Sequence, residues 1–244
     1  MSRIRLDIAL EQRGLAQSRA RARDAILRGT VTVNGAAASK PSQLVGEADT
    51  IALDDPASGY VSRAALKLVE GLDKSGFDPS GKVCLDLGAS TGGFSQVLTE
   101  RGARLIYAVD VGHGQLHGDV ARLGNVVSLE GVNARDLTAE TIPEPVDFLV
   151  SDVSFVSLTK VLDAPSALCV PGAPAILLIK PQFEVGRDNI GKGGIVLPGP
   201  HIEAAVEAVL AHMGALGWEK AGLWPSPIKG GDGNGEFLAA FRRV

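Results

Sequence analysis

Cysteine is almost absent: the 244 residues hold two, Cys84 and Cys169. Each lies in an apolar run with no second cysteine or histidine at ligand spacing, so neither a disulfide framework nor a metal site is expected. Long hydrophobic runs are missing as well. The opening MSRIRLDIAL lacks the apolar stretch of a signal peptide. The best membrane candidate is broken by Asp163, Pro165, Pro171 and Pro174, short of the roughly 18 apolar residues that a span needs. A cytoplasmic protein with no membrane partner is the expectation. Net positive charge is also lacking, with 24 Lys and Arg against 28 Asp and Glu, a formal −4. The average hides an asymmetry. Residues 1–40 carry seven Arg and one Lys against three acids, a net of +5 that leaves −9 for the remainder. Charge acts on a ligand within a Debye length of about 8 Å, so the basic head can meet a polyanion despite the acidic body.

That head reads as a small α+β module. RLDIALEQR (5–13) repeats apolar residues at helical spacing and stops at Gly14, where a left-handed cap is expected. Ser18 caps a second helix, RARARDAILR, which ends at Gly29. TVTVNG follows, with alternating valines and Asn34-Gly35 as a hairpin turn. Arg19 and Arg23 share a helix face, Lys40 follows the hairpin, and no acid stands four residues away to neutralise the arginines. These residues and Arg5 are the candidate RNA contacts. The composition of DDPASGY (54–60) marks a connector. The expected boundaries are 1–57 for the small domain, 58–61 for the linker and 62–244 for the large domain.

The large domain alternates. A helix in VSRAALKLVEGLDKSG, with Ala65, Leu68 and Leu72 inward, precedes strands near 82–87, 105–110, 125–130, 146–151 and 174–179, with helical patterns between them. Such alternation specifies a mostly parallel sheet covered on both faces. The tail breaks the rule: WEKAGLWPSPIKG and EFLAAFRR are successive strands with no helix between, so the sheet should end in an antiparallel pair. That ending suits a Rossmann-like methyltransferase sheet rather than a dehydrogenase.

KVCLDLGASTGGFSQVL (82–98) runs from strand to glycine turn to helix, an arrangement that lets backbone approach a nucleotide-containing ligand. Gly88, Ser90, Gly92, Gly93 and Phe94 are the candidate turn contacts. A pyrophosphate cofactor fits poorly, because Asp86 would stand beside its charge. A carboxylate there suits the ammonium of S-adenosylmethionine, which carries no phosphate. Ligands of doubly wound sheets bind beyond the strand ends, where Asp86, Asp110, Asp152 and Lys180 fall. Asp110 stands at ribose-binding distance in sequence, and Asp136 in NARDL is a candidate partner for an adenine amine or a simple turn former. Lys180 reads equally as a lysine snorkelling from a buried strand. Lys67 lies with Arg63, Glu70 and Lys74 on a polar helix face and reads, by spacing alone, as a solvated ion-pair residue.

Two resemblances sharpen these readings. RLDIALEQRGLAQSRARARDAILRGTVTVNG resembles the small RNA-binding domain first described in the fourth protein of the small ribosomal subunit. YVSRAALKL, DLGASTGGF, VDVGHGQL, NARDL, SDVSF, IKPQFEVGR and SPIKGGDGNGEF, in that order, resemble the TlyA (hemolysin A) family, which joins such a head to an FtsJ-like ribosomal RNA 2′-O-methyltransferase. The resemblance implies methyl transfer from S-adenosylmethionine to cytidine ribose in ribosomal RNA or ribosomal subunits. By motif position it also implies a catalytic Lys67, Asp152, Lys180 and Glu236. On that reading Lys180 takes the hydroxyl proton, Lys67 as a second ammonium favours a neutral base and steers the ribose, and the carboxylates orient both. PQFEVGRDNIGKGGIVLPGP is long for a connection, and a substrate-side lid with Arg187 and Lys192 near RNA phosphates is expected; a plain solvent loop is the alternative. Ala64 and Ala65 stand where many relatives have glycines, SGYV lacks an Arg-x-Trp linker pattern, and Gly230-Gly231 should loosen the turn before Glu236. The rival readings are a non-catalytic ribosome-assembly factor, a cytolysin, and a nicotinamide-dependent reductase.

Overall fold

In the computed structural model, which describes residues 3–244, the chain separates into two compact units, Met1–Gly59 and Tyr60–Val244. The first holds β1 (Ile4–Arg5), α1 (Leu6–Gln12), α2 (Arg19–Leu27), β2 (Val31–Val33), β3 (Ala36–Ala37), β4 (Leu44–Val45) and β5 (Ile51–Leu53). α1 ends where Gly14 takes φ +70°, and Ser18 Oγ accepts the Arg21 backbone N–H at 3.3 Å to cap α2. Asn34 and Gly35 at φ +51° and +79° turn β2 back into β3, the handedness that a two-residue hairpin requires. Leu6, Leu10, Ala22, Ile26, Val31 and Val45 form the core of this unit. Its basic excess is not all outward. Arg28 grips Asp55 through two bonds of 2.7 Å and pairs with Asp24, Arg13 donates to the carbonyls of Gly46 and Asp49, and Arg21 donates to that of Ala57.

The second unit runs α3 (Ala65–Ser75), β6 (Val83–Leu87), α4 (Gly93–Glu100), β7 (Leu105–Asp110), α5 (Gly118–Ala121), β8 (Val126–Glu130), β9 (Phe148–Ser151), α6 (Asp163–Leu168), β10 (Pro174–Ile179), α7 (Pro181–Glu184), α8 (His201–Ala215), β11 (Trp218–Pro225) and β12 (Phe237–Arg243). Seven strands form one sheet in the order β11-β12-β10-β9-β6-β7-β8. β8, β7, β6, β9 and β10 pair in parallel, whereas β12 is antiparallel to both β10 and β11. The expected antiparallel ending is present. The helical patterns expected on both sides of β8 shrink to the single turn α5 and a 3₁₀ turn at Ala134–Asp136. Glycines 112, 114 and 118 and prolines 143 and 145 interrupt those segments, and both residue types are poor helix formers.

Side chains alternate through the sheet and build two cores. Leu85, Leu87, Leu149, Leu177 and Phe241 meet Val206, Val209 and Met213 of α8 on one face. Cys84, Phe148, Val150, Ile176 and Leu238 meet α3 and α4 on the other. α3 lies so close to β10 that a Cβ on Gly71 would stand 2.9 Å from Ile176 Cγ2. This close seat carries Lys67 down toward the strand ends.

Candidate active site

The glycines of the β6–α4 turn serve different neighbours. Gly88 adopts φ +75°, and a Cβ there would lie 2.8 Å from the Cα of Val153, so its openness lets the turn after β6 cross the chain leaving β9. Gly93 admits the start of α3, with Ser62 Cβ 3.0 Å from its virtual Cβ. Gly92 is a correction: at φ +94° it is buried against Leu116 and Val120, each 2.8 Å from a virtual Cβ, and lines neither cavity beside the turn. It makes room for protein, not ligand. Gly88 and Ser90 do line both cavities, and Phe94 is a core residue whose edge reaches the smaller one.

The larger cavity, about 440 Å³, opens beyond the carboxyl ends of β6, β7 and β9. Asp110 and Asp152 line it, together with Asn133, Arg135 and Phe155. Asp110 accepts the backbone N–H of Ser90 and of Gly112, each at 2.8 Å, and so ties two turns together at the cavity wall. Asp136 is exposed outside the cavity, because the 3₁₀ turn presents Asn133 and Arg135 instead. The expected adenine partner thus stands beside the cavity lining, not in it. Asp86 is likewise not a wall residue: it is fully buried, with Oδ2 accepting from Ser95 Oγ at 2.7 Å and Oδ1 without a partner among the described residues. Burial above all pushes its carboxyl up to about 7, with the charges of Asp152 and Asp110 adding and the Ser95 bond opposing.

The four residues of the expected tetrad form two ion pairs, one buried and one part-buried. Lys67 of α3 meets Glu236 at 2.7 Å, with side chains 7% and 2% exposed. Lys180, directly after β10, meets Asp152 Oδ1 at 2.7 Å and donates to Ser154 Oγ at 2.7 Å and the Asp152 carbonyl at 3.0 Å. The sheet explains the convergence. Ile179 pairs with Phe237 across β10 and β12, so the residues one step beyond, Lys180 and Glu236, end adjacent strands on the same edge. Asp152 and Ser154 line both cavities, placing Lys180 one hydrogen bond from the cavity wall. Lys67 corrects the reading of a solvated helix face, since a carboxylate 169 positions away receives it.

Comparisons with known proteins identify the family and the fold. A model of FtsJ-like methyltransferases matches residues 60–243, and a model of S4 domains matches residues 4–51. The chain belongs to the FtsJ-like methyltransferase family. It is 43% identical to the 16S/23S rRNA (cytidine-2′-O)-methyltransferase TlyA of Mycobacterium tuberculosis, over 98% of this chain and 90% of that one. A solved structure from Streptococcus thermophilus that carries the hemolysin name superposes with a TM-score of 0.77 at 36% identity, covering all of this chain and 90% of that one. An S-adenosylmethionine-dependent methyltransferase from Listeria monocytogenes shares the fold, with a TM-score of 0.55 at 16% identity over 75% of this chain and all of that one. Among the described residues no helix is long and apolar enough to cross a membrane.

Several residues that shape this FtsJ-like site escaped the sequence reading. Phe155 is 89% exposed on the cavity rim at φ +65°, a conformation a bulky residue adopts only under constraint. Phe183 of α7 backs it at 5.3 Å between ring centroids. Glu184 holds the same loop by accepting from Ser157 Oγ at 2.5 Å and the Leu158 N–H at 2.8 Å. Glu130, at the end of β8, accepts the backbone N–H groups of Gly114, Gln115 and Leu116 at 2.9, 2.7 and 3.0 Å. These bonds hold its carboxyl below the usual range and pin the loop that brings Gln115 to the cavity.

The long connection after β10 is more tightly held than a free lid. Buried Asn234 accepts from the Val196 N–H and donates to the Gly194 carbonyl, both at 2.9 Å. Arg187 and Lys192 are exposed on it. The Gly230-Gly231 turn is not loose either, since the Gly230 N–H bonds the Asn234 carbonyl at 2.9 Å and a Cβ on Gly230 would meet Glu236 Oε1 at 2.6 Å. In the small unit Arg23 and Lys40 are exposed. Arg5 and Arg19 instead share the carboxylate of Asp7, which corrects the reading of un-neutralised arginines.

Proposed function

We propose that this chain transfers the methyl group of S-adenosylmethionine to the ribose 2′-hydroxyl of cytidine in ribosomal RNA, with the small unit holding the RNA. The observation that carries this reading is the part-buried Lys180–Asp152 pair, hydrogen-bonded to Ser154 at the wall of a cavity that begins at the Gly88 turn. The cavity volume lies in the range of small-molecule sites, and its residues fit this cofactor. Val109, Val132 and Val156 offer an apolar bed, Asp110 borders the turn for a ribose, and the unpartnered Asp86 Oδ1, buried behind the wall, favours a cation nearby. When bound, S-adenosylmethionine supplies an electrophilic methyl on a positively charged sulfur.

The chain's own residues would then manage the hydroxyl. Lys180 already directs its N–H bonds at Asp152 and Ser154, and a ribose oxygen taking the place of Ser154 Oγ would receive one of them. The proton of that hydroxyl would pass to the Lys180–Asp152 pair, which would gain one positive charge. Lys67 and Glu236 brace the far side as a neutralised pair. Phe155, exposed and backed by Phe183, gives the attached base a face to stack on. Incubation with radiolabelled methyl donor and ribosomal subunits tests the proposal. Label should enter ribose 2′-oxygens of cytidine and be lost with Lys180→Ala under single turnover; RNA binding without incorporation would mark an assembly factor instead.

A further inference from the structure

Asp7 is the most completely buried acid of the small unit, 1% exposed, in the region where polyanion contact is expected. A carboxylate there opposes RNA by simple Coulomb repulsion. Its bonds suggest a different purpose. Arg5 places both Nε–H and one Nη2–H on it, at 2.9 Å each, and Arg19 adds its Nε–H at 3.0 Å. The Ile8 backbone N–H fixes the same carboxylate at 3.1 Å, and the Arg19 backbone is itself tied to Glu11 Oε1 at 3.1 Å. The two arginines bury one edge on Asp7 while their side chains stay 40% and 54% exposed.

We propose that Asp7 is a positioning residue for RNA, fixing the guanidinium groups of Arg5 and Arg19 side by side as a preorganised double contact to phosphate. The inference rests on the RNA reading of this unit. A guanidinium has five N–H donors, so Arg5 keeps three and Arg19 keeps four for an outside partner. Phosphate recognition by arginine depends on the orientation of the planar fork, and long arginine chains otherwise lose rotamer freedom at the moment of binding. Asp7 removes that freedom beforehand. Its carboxyl is held down at about 2, chiefly by the Arg5 bonds, so it remains an anion under all working conditions. Two half-exposed cations outweigh one buried anion, and the cluster keeps a net positive charge.

The two effects predict opposite signs. Removing an anion should strengthen RNA binding if charge alone matters, and weaken it if aim matters. Filter binding of purified ribosomal subunits across a salt series, on folded full-length protein checked by thermal melting, separates them. Arg5→Ala/Arg19→Ala should weaken binding and lower the salt slope by about two. Asp7→Asn should weaken binding about 3- to 10-fold despite the added positive charge, and should have no effect once both arginines are gone. Asp7→Glu, which keeps the charge and shifts the carboxylate by one methylene, should also weaken it and decides the matter if Asp7→Asn does not fold. Binding by folded Asp7→Asn or Asp7→Glu equal to or tighter than wild type overturns the proposal, as does an equal loss in the absence of both arginines. Wild-type binding by Arg5→Ala/Arg19→Ala also overturns the proposal, whereas failure of the wild-type protein to bind the subunits refutes the RNA reading itself.

Discussion

Removing one partner of the Lys67–Glu236 pair leaves a charge in a site where the side chains are 7% and 2% exposed. Breaking such a pair costs about 3–5 kcal/mol, whereas replacing both charges with apolar groups of similar volume is often neutral. Lys67→Met or Glu236→Leu alone should therefore destabilise the large unit by about 3–5 kcal/mol, a melting shift of roughly 6–20 °C at 2–4 °C per kcal/mol for a domain of this size. Lys67→Met/Glu236→Leu should recover most of that loss, because the double change leaves no orphaned charge. Its methylation should stay down by at least about 100-fold, since a stable but uncharged site can neither steer the ribose nor brace the Lys180 side. Urea denaturation followed by circular dichroism reads the first quantity, and single-turnover transfer of labelled methyl reads the second. Single variants that lose under about 1 kcal/mol, or a double variant as unstable as the sum, would refute the buried-pair argument. A double variant with full activity would refute the catalytic placement and leave Lys67 and Glu236 as structural residues.

Other outcomes follow from the same geometry. Gly88→Ala combines a left-handed φ with a Cβ 2.8 Å from backbone and should cost roughly 2–5 kcal/mol, while Gly76→Ala, left-handed but in open space, should cost about 1 kcal/mol; similar melting points for the two would contradict the crossing argument. Phe155→Gly should raise the melting point slightly by relieving φ +65° while lowering methylation, and a fall in both would remove Phe155 from the substrate face. Because the Asp86 carboxyl lies at about 7 in the fold and near 3.9 when unfolded, the folded state holds the extra proton between those values. Stability should thus decline as pH rises from about 4 to 7, and Asp86→Asn should flatten that decline. A cationic ligand favours the ionised carboxyl, so calorimetry of S-adenosylmethionine binding in buffers of different ionisation heat should register proton release near pH 7 that Asp86→Asn abolishes. Glu130→Gln should raise the cofactor KM on the order of tenfold with kcat little changed; an unchanged KM would free the Gly114–Leu116 loop from any role in the cavity.

What could be read from the chain alone was the set of signals carried by neighbours in sequence. Alternating runs gave the parallel strands, Asn34-Gly35 gave the hairpin, Ser18 gave a helix cap, and the missing helix between β11 and β12 gave the antiparallel ending. The site was legible only as a collection of residue types at strand ends, because strand order decides which of them meet. Lys67 shows the difference. Its spacing with Arg63, Glu70 and Lys74 is that of a solvated face, and nothing within one turn indicates that β12 delivers Glu236 to it. Gly88 and Gly92 look equivalent in DLGASTGG, yet one faces a crossing backbone at the cavity and the other the side chains of Leu116 and Val120. Asp136 and Asn133 occupy one short turn, and only its 3₁₀ geometry selects Asn133 for the cavity. The motif SDVSF drew attention to Asp152 for its charge, whereas the positive φ that raises Phe155 onto the rim has no signature in residue identity. The register of Ile179 with Phe237 carries these points together. Sliding β12 by two residues along β10 would keep every side chain on its own face, preserve both cores, and still part Glu236 from Lys67. The proposed catalytic arrangement therefore depends on pairing register more stringently than the fold does.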